Sequence, residues 1–217
     1  LSSTVPFVNS TTVKFKVTAK DKAGNTASDV SDANLTIDST TPSVPADLTA
    51  SYNASTNKVT FNWPASTDAV NTGIDKYQAA MDSGDWINIG NVTSYTWPTA
   101  LADGSHTFHV RAVDKAGNAG PMANVDFILD TTPPTNLAKT TPNSNNKPAF
   151  SWTASADATT GVDYYEAQMD SGAWTNIGNI TSYTWPTALA AGSHTLNLRA
   201  VDKAGNISPS ASLTFTI

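Results

Sequence analysis

The pentapeptide Asp-Lys-Ala-Gly-Asn occurs three times, at 21–25, 114–118 and 202–206, at intervals of 93 and 88 residues. Around it the match is long. Residues 73–118 align with 161–206 without a gap, and 35 of these 46 positions are identical. Two copies this alike share one fold, so the chain is an array of units of about 90 residues each. Asp38-Ser-Thr-Thr-Pro42 precedes one copy and Asp130-Thr-Thr-Pro-Pro134 the next. Proline fixes φ and restricts the residue before it, which makes these joints short and semi-rigid. The expected modules are 38–129 and 130–217. Residues 1–37 match only the last part of a module. The chain begins at Leu1 rather than Met, with no signal-peptide pattern in these residues, and is expected to be an internal piece of something longer.

Inside each unit the apolar residues alternate with polar ones, the period of a strand with one buried face. Val59, Phe61 and Trp63 form one inward row, echoed by Phe150 and Trp152. Tyr77, Ala79 and Met81 form another, echoed by Tyr165, Ala167 and Met169. His106, Phe108, Val110 and Ala112 point inward, with Thr107, His109 and Arg111 outward; the later copy has His194, Leu196, Leu198 and Ala200 inward. Val125, Phe127 and Leu129 close the module. No stretch has a convincing period of 3.6. Of the 18 acids, 17 are Asp and only Glu166 is Glu, while Ser and Thr make up 54 of 217 residues. That composition favours strands and turns over helices. About seven short strands per unit predict an all-β chain of tandem immunoglobulin-like β-sandwich modules.

The recurring Thr-x-Pro, Trp-x-Ala-Ser-x-Asp, Gly-[Ile/Val]-Asp-x-Tyr, Leu-Ala-x-Gly-Ser-His-Thr and Arg-Ala-Val-Asp-Lys-Ala-Gly-Asn resemble bacterial Ig-like repeats, which overlap in appearance with bacterial fibronectin-III-like repeats. The resemblance covers both full modules and the partial one. It implies a long extracellular chain: an adhesin, a surface-associated protein, or a spacer in a secreted enzyme. It also implies, for some adhesins of this kind, calcium near the module joints.

Several functions are excluded or disfavoured. The net charge of −6 repels phosphate backbones, so no nucleic-acid partner is expected. No apolar run approaches the length of a membrane span. Zero Cys removes disulfides, thiolate catalysis and Cys-ligated zinc. Histidine is found only at 106, 109 and 194, and the duplicated pair 106 and 194 falls on an inward row, where packing explains it better than a nucleophile's base. No carboxylate pair suggests a glycosidase and no phosphate loop is present. The chain is expected to be non-enzymatic.

The aspartates are the first candidate site. In the usual sandwich order the entering linker, the B–C loop and the F–G turn share one pole. That would bring Asp38 to Asp68, Asp75, Asp114 and Asn118, and Asp130 to Asp157, Asp163, Asp202 and Asn206. Clustered carboxylates repel unless neutralised, and calcium takes 6–8 oxygen ligands of these kinds. The same aspartates also have a plain role as turn caps, which spacing alone does not separate from ligation. The aromatics are the second candidate. Trp86, Tyr95 and Trp97, with Trp174, Tyr183 and Trp185, would stack on sugar rings if exposed together on one face, and otherwise cover a sandwich edge. Asn-x-Ser/Thr sequons at Asn9, Asn34, Asn53, Asn91, Asn179 and Asn206 are no more than this composition produces by chance.

Residues 1–37 offer about three strands, with Val13, Phe15, Val17, Leu35 and Ile37 facing a missing half core. Strands from upstream chain or from a neighbouring subunit would complete it. The expected function is spatial: a stalk or fibre of stacked modules in an adhesin-type protein at the cell surface. The alternative is a carbohydrate-binding or substrate-positioning module of a secreted enzyme. Expected partners are the neighbouring modules, with other subunits or surface glycans.

Overall fold

The computed structural model describes residues 9–33, 35–69, 73–135 and 145–217. All regular structure among them is strand, with no α-helix. The chain divides into two compact units, residues 1–100 with 106–127, and residues 101–105 with 128–217.

In the earlier full module β5 (Thr49–Asn53), β6 (Lys58–Asn62) and β9 (Ser94–Thr96) form one antiparallel sheet in the order β5-β6-β9. The facing sheet has the order β11-β10-β7-β8, from β7 (Ile74–Met81), β8 (Ile87–Gly90), β10 (Gly104–Asp114) and β11 (Ala123–Leu129). Three strands against four is an immunoglobulin-like sandwich, and the predicted inward rows are the ones that meet. Val59, Phe61, Trp63, Tyr77, Ala79, Phe108, Val110 and Ala112 are all buried. Phe61 stacks flat on Phe108 across the sheets at 3.8 Å, and Trp63 tilts onto Tyr77 at 5.5 Å. The Tyr77 hydroxyl accepts the backbone N–H of Ser66 at 2.7 Å, which closes the start of the long loop between β6 and β7.

The second unit repeats this plan. β12 (Ala149–Ser151) pairs with β15 (Ser182–Thr184). The facing sheet has the order β14-β13-β16-β17, from β13 (Val162–Met169), β14 (Thr175–Gly178), β16 (Ser193–Asp202) and β17 (Ala211–Thr216). Its core is Phe150, Trp152, Tyr165, Ala167, Met169, Leu196, Leu198, Ala200 and Phe215. Tyr165 Oη accepts Ser155 N–H at 2.9 Å, the same closure as in the first copy.

Among its described residues the partial module has four short strands, where about three are expected. β1 (Ser10–Val13) pairs with β4 (Leu35–Ile37), and β2 (Lys16–Lys20) with β3 (Thr26–Val30). The long F-type strand of a full module is interrupted at Lys14–Phe15, so its two halves pair separately. Val13 opposes Leu35 as their counterparts His194 and Phe215 oppose each other, and the register then shifts before Ser10 opposes Ile37. Phe15 and Val17 are 55% and 70% exposed, with no second sheet over them among the described residues. The side chain of Leu35 and the sequon residue Asn34 lie outside the described residues.

Candidate functional site

The Asp-Lys-Ala-Gly-Asn turn is self-capping. Asp114, at the end of β10, accepts the backbone N–H of Asn118 and its side-chain Nδ2, both at 2.8 Å. Asp202 does the same with Asn206, and also accepts Ala204 N–H at 2.9 Å. Gly117 and Gly205 supply the positive φ the turn needs, 94° and 91°. In the partial module Asp21 and Asn25 make the same two bonds at 2.8 Å while fully exposed. The Asn25 side chain, followed by its backbone N–H, holds the Asp21 carboxyl below the usual carboxylate range. The cap therefore forms wherever the pentapeptide occurs, with or without further partners.

The full modules add the linker. Asn118 Nδ2 also donates to the Asp38 carbonyl at 3.1 Å, and Asn206 Nδ2 to the Asp130 carbonyl at 3.0 Å. Asp38 Oδ1 accepts the N–H and hydroxyl of Thr40 at 2.9 and 2.6 Å. Asp68 accepts Gly73 N–H at 3.2 Å and the Thr40 hydroxyl at 3.4 Å. In the second unit Asp157 Oδ1 caps the loop through the N–H groups of Thr159, Thr160 and Gly161 at 3.2, 3.0 and 2.8 Å. Asp130 accepts Thr132 N–H at 3.1 Å and the Thr160 hydroxyl. Gly120 is required here for space, since a Cβ on it would fall 2.5 Å from the Pro42 carbonyl oxygen.

Three carboxylates thus converge in each module. Oxygens of Asp38, Asp68 and Asp114 lie within 4.8 Å of one another, and so do those of Asp130, Asp157 and Asp202. Asp114, Asp130 and Asp202 are at most 5% exposed. Asp75 and Asp163 do not join them. Each is the second residue of its strand, β7 or β13, with its side chain in solvent, and Asp75 pairs with Lys76 at 3.3 Å. Asn118 and Asn206 are present at the pole but turn their nitrogens toward the acids, so they act as donors and not as oxygen ligands.

A second grip on the linker was not legible in the sequence. Asp103 Oδ1 accepts the N–H and hydroxyl of Thr131, both at 2.9 Å, and its Oδ2 accepts the Thr132 hydroxyl at 2.6 Å. The Thr132 hydroxyl, outweighing burial, together with Thr131 holds the Asp103 carboxyl below its usual range. Asn9 Oδ1 takes the N–H and hydroxyl of Ser39 at 2.8 Å, the counterpart at the earlier joint. A hydroxyl residue directly after the linker aspartate in both copies was the available signal.

The aromatic residues do not share a face. Trp86 lies against the outer side of β10, with the Arg111 guanidinium carbon 4.4 Å from its ring centre, and Trp174 has Arg199 at 4.1 Å. Tyr95 sits in β9 of the other sheet and meets Trp97 edge-on at 6.1 Å, while Trp97 meets the core ring of Phe108 at 6.2 Å. Tyr183 and Trp185 repeat this contact and pack on the second core. The histidines hold corners together. His106 Nδ1 lies 2.9 Å from Asp82 Oδ2 and His194 Nδ1 2.9 Å from Asp170 Oδ2, with both aspartates in left-handed conformation.

With this architecture in hand, comparison with known proteins is decisive for the family. The model of the bacterial Ig-like domain matches residues 55–131 and 140–217, well over half of the chain. The chain belongs to the bacterial Ig-like domains. Domains of this family are non-catalytic modules, and this one carries two in tandem, each a neighbour to the other in one chain. Similar curated proteins are exoglucanase A of Cellulomonas fimi, 37% identical over 48% of this chain and 12% of the relative, and chitinase A1 of Niallia circulans, 34% identical over 58% of this chain and 18% of the relative. The chain therefore spans less than a fifth of the length of these relatives. Fibronectin(III)-like modules of Clostridium thermocellum CbhA are similar in structure, with a TM-score of 0.47 and 16% identity over 74% of this chain and 85% of that one. No helix among the described residues is long and apolar enough to cross a membrane.

Proposed function

We propose that this bacterial Ig-like pair is a non-catalytic spacer and positioning segment of a secreted polysaccharide-degrading enzyme. The observation that carries the reading is the doubly held linker. Residues 130–132 are bonded through Asp103 on one side and through Asn206 on the other, and residues 38–39 through Asn118 and Asn9. A linker gripped at its aspartate carbonyl and at the N–H and hydroxyl of the next residue has fewer ways to bend, which suits a segment that sets a distance. The enzymatic setting is supported by relatives named as exoglucanases and a chitinase. An extracellular location follows from that reading. The stalk of an adhesin or fibre would use the same joints, but no similar protein named above points to it. Stacking of one sugar chain across several aromatics is the weaker form of the accessory role, because Trp86 packs on Arg111 of β10, Tyr95 sits in β9 of the other sheet, and Trp97 and Trp185 pack inward.

Calcium belongs to the same proposal as a stiffener. Three carboxylates from linker, loop and turn form an oxygen-only donor set, the kind a hard divalent cation takes, with water to complete its shell. Bound there, it would tie Asp38 to Asp68 and Asp114, and Asp130 to Asp157 and Asp202.

Peptide mapping of the full-length secreted polypeptide, with activity assays, tests the main reading. A catalytic domain in the same polypeptide, whose activity on insoluble polysaccharide falls when residues 38–217 are deleted while soluble substrate is turned over as before, supports it. A polypeptide made only of repeats and a wall anchor overturns it in favour of the stalk.

A further inference from the structure

Glu166 is the only glutamate of the chain, and it is committed to one arginine. Its Oε2 lies 2.6 Å from both Nε and Nη2 of Arg199, whose guanidinium carbon stands 4.1 Å from the centre of the Trp174 ring. The first module repeats the tryptophan and the arginine but replaces the acid. Position 78 is Gln, and its Oε1 accepts Arg111 Nε at 2.9 Å. Arg111 has no carboxylate partner among the described residues. Beyond Nε to Gln78 its side chain makes no hydrogen bond among the described residues, and its terminal nitrogens are not buried. His109, two residues back on the same outer side of β10, has its ring centre 6.5 Å from Trp86. The second module has Asn197 there, and that side chain is occupied with Gln168. Two frames identical at 35 of 46 positions thus differ in charge on this face. In the later copy the cation is neutralised internally. In the earlier copy a guanidinium, an imidazole and an indole stand together with the charge left open. Lys76 nearby is already paired with Asp75.

We propose that the Trp86–Arg111–His109 face of the first module binds a carboxylate carried on a sugar ring, that is, a uronic acid residue of a polysaccharide. The free end of a guanidinium is a planar fork that matches a carboxylate in two parallel hydrogen bonds. Gln78 fixes the Nε edge, so the fork is aimed before the ligand arrives. The Trp86 indole beside it offers an apolar surface to the C–H groups of the sugar, and the half-buried His109 ring, its Nδ1 turned inward, flanks it. The overall charge of −6 repels a uronate as it does any anion, so binding has to come from the fork itself and to be measured at a stated ionic strength. The choice of a sugar over an acidic peptide rests on the accessory-module reading, whereas the carboxylate specificity rests on the face alone.

The test is a chemical-shift titration of the full 15N-labelled chain at low salt with a glucuronate-terminated disaccharide. Its neutral glucose analogue, acetate and a short acidic peptide run in parallel. The Trp86 indole and Arg111 Nε resonances are expected to move saturably with a dissociation constant on the order of 1 mM, as expected for a small exposed site. Those of Trp174 and Arg199 should stay. Q78E supplies the internal carboxylate of the other copy and should weaken binding at least about tenfold, or about 1.4 kcal/mol. E166Q should open the second module to the same ligand. Each substitution installs the residue the sister module already carries, so both proteins should fold. Equal binding of the neutral analogue, acetate as tight as the uronate, tighter binding of the peptide, or a Q78E protein with unchanged affinity would each overturn the proposal. None of these outcomes bears on the spacer reading, which the deletion experiment decides separately.

Discussion

Asn118 donates its side-chain nitrogen to the carbonyl of Asp38, 80 residues earlier in the chain, at 3.1 Å. The same nitrogen serves the Asp114 carboxylate at 2.8 Å, so one amide joins linker to turn. Asn206 repeats this with Asp130 and Asp202. Asn206→Ala removes both bonds and leaves Asp202, 2% exposed, short of a donor. A buried acceptor stripped of its partner costs about 1–3 kcal/mol. Thermal unfolding of the N206A chain should therefore show a lowered midpoint for the second module. Asn25→Ala, made in the exposed copy of the turn, should leave both module midpoints in place. Equal effects of the two substitutions would mean that the linker bond contributes nothing.

The corner between β13 and β16 predicts a pH dependence. His194 Nδ1 faces Asp170 and its Nε2 lies 3.0 Å from the Ala190 carbonyl, so both nitrogens meet acceptors and only the imidazolium can donate to both. The bond to Asp170, then that to the Ala190 carbonyl, raises the His194 pKa above 6.5. The bond from His194, then Thr195 N–H, lowers that of Asp170 below 3.8. A raised histidine stabilises fully below its unfolded value and loses that contribution as pH climbs through the folded one. A lowered aspartate stabilises fully above its unfolded value and loses its contribution as pH falls through the folded one. The corner should then be firmest between 3.8 and 6.5 and loosen above. Unfolding midpoints across that range, with His194→Gln as the flat control, check it. A second module that gains stability as pH rises from 6.5 to 8.5 would contradict the assignment.

The sandwich was legible because two signals agree in it. Period-two alternation placed Phe61, Tyr77, Phe108 and Val110 inward, and duplication repeated the reading in Phe150, Tyr165, Leu196 and Leu198, all of them buried. At the pole, residue type was readable but direction was not. Asp68 and Asp157 bend inward because their carboxylates cap loop N–H groups, whereas Asp75 and Asp163 are held outward by strand pairing. The Asn118 amide turns its nitrogen to Asp114 as Asn25 does to Asp21, but its second bond, to the Asp38 carbonyl, is a tertiary contact with no local signature. The corner pairs had a signal of a kind. Met-Asp-Ser-Gly and Gly-Ser-His-Thr recur together in both copies, and it is Asp82 with His106 and Asp170 with His194 that meet.

Both tyrosine hydroxyls buried in the cores accept one backbone N–H each, from Ser66 at 2.7 Å and from Ser155 at 2.9 Å. Tyr77→Phe and Tyr165→Phe keep ring packing and strand those N–H groups at buried positions. Each should destabilise its own module by about 1–3 kcal/mol without changing the other. Denaturant unfolding followed by near-UV signals resolves the two. A neutral Y165F would imply that the loop after β12 finds another acceptor.

Calcium makes the most discriminating prediction about the poles. Binding only to the native state adds about 2.7 kcal/mol at a hundredfold excess over Kd. Millimolar calcium after EDTA should raise the unfolding midpoint, and matched magnesium should raise it less, since magnesium demands a tighter octahedral shell. Asp157→Asn removes a converging carboxylate and should abolish the calcium increment in the second module, whatever it does to stability in EDTA through the lost loop cap. Asp163→Asn, outside the cluster, should keep the full increment. If neither module responds to calcium, the six aspartates are caps and linker anchors, and the joints rest on hydrogen bonds such as those to Asn118, Asn206, Asn9 and Asp103.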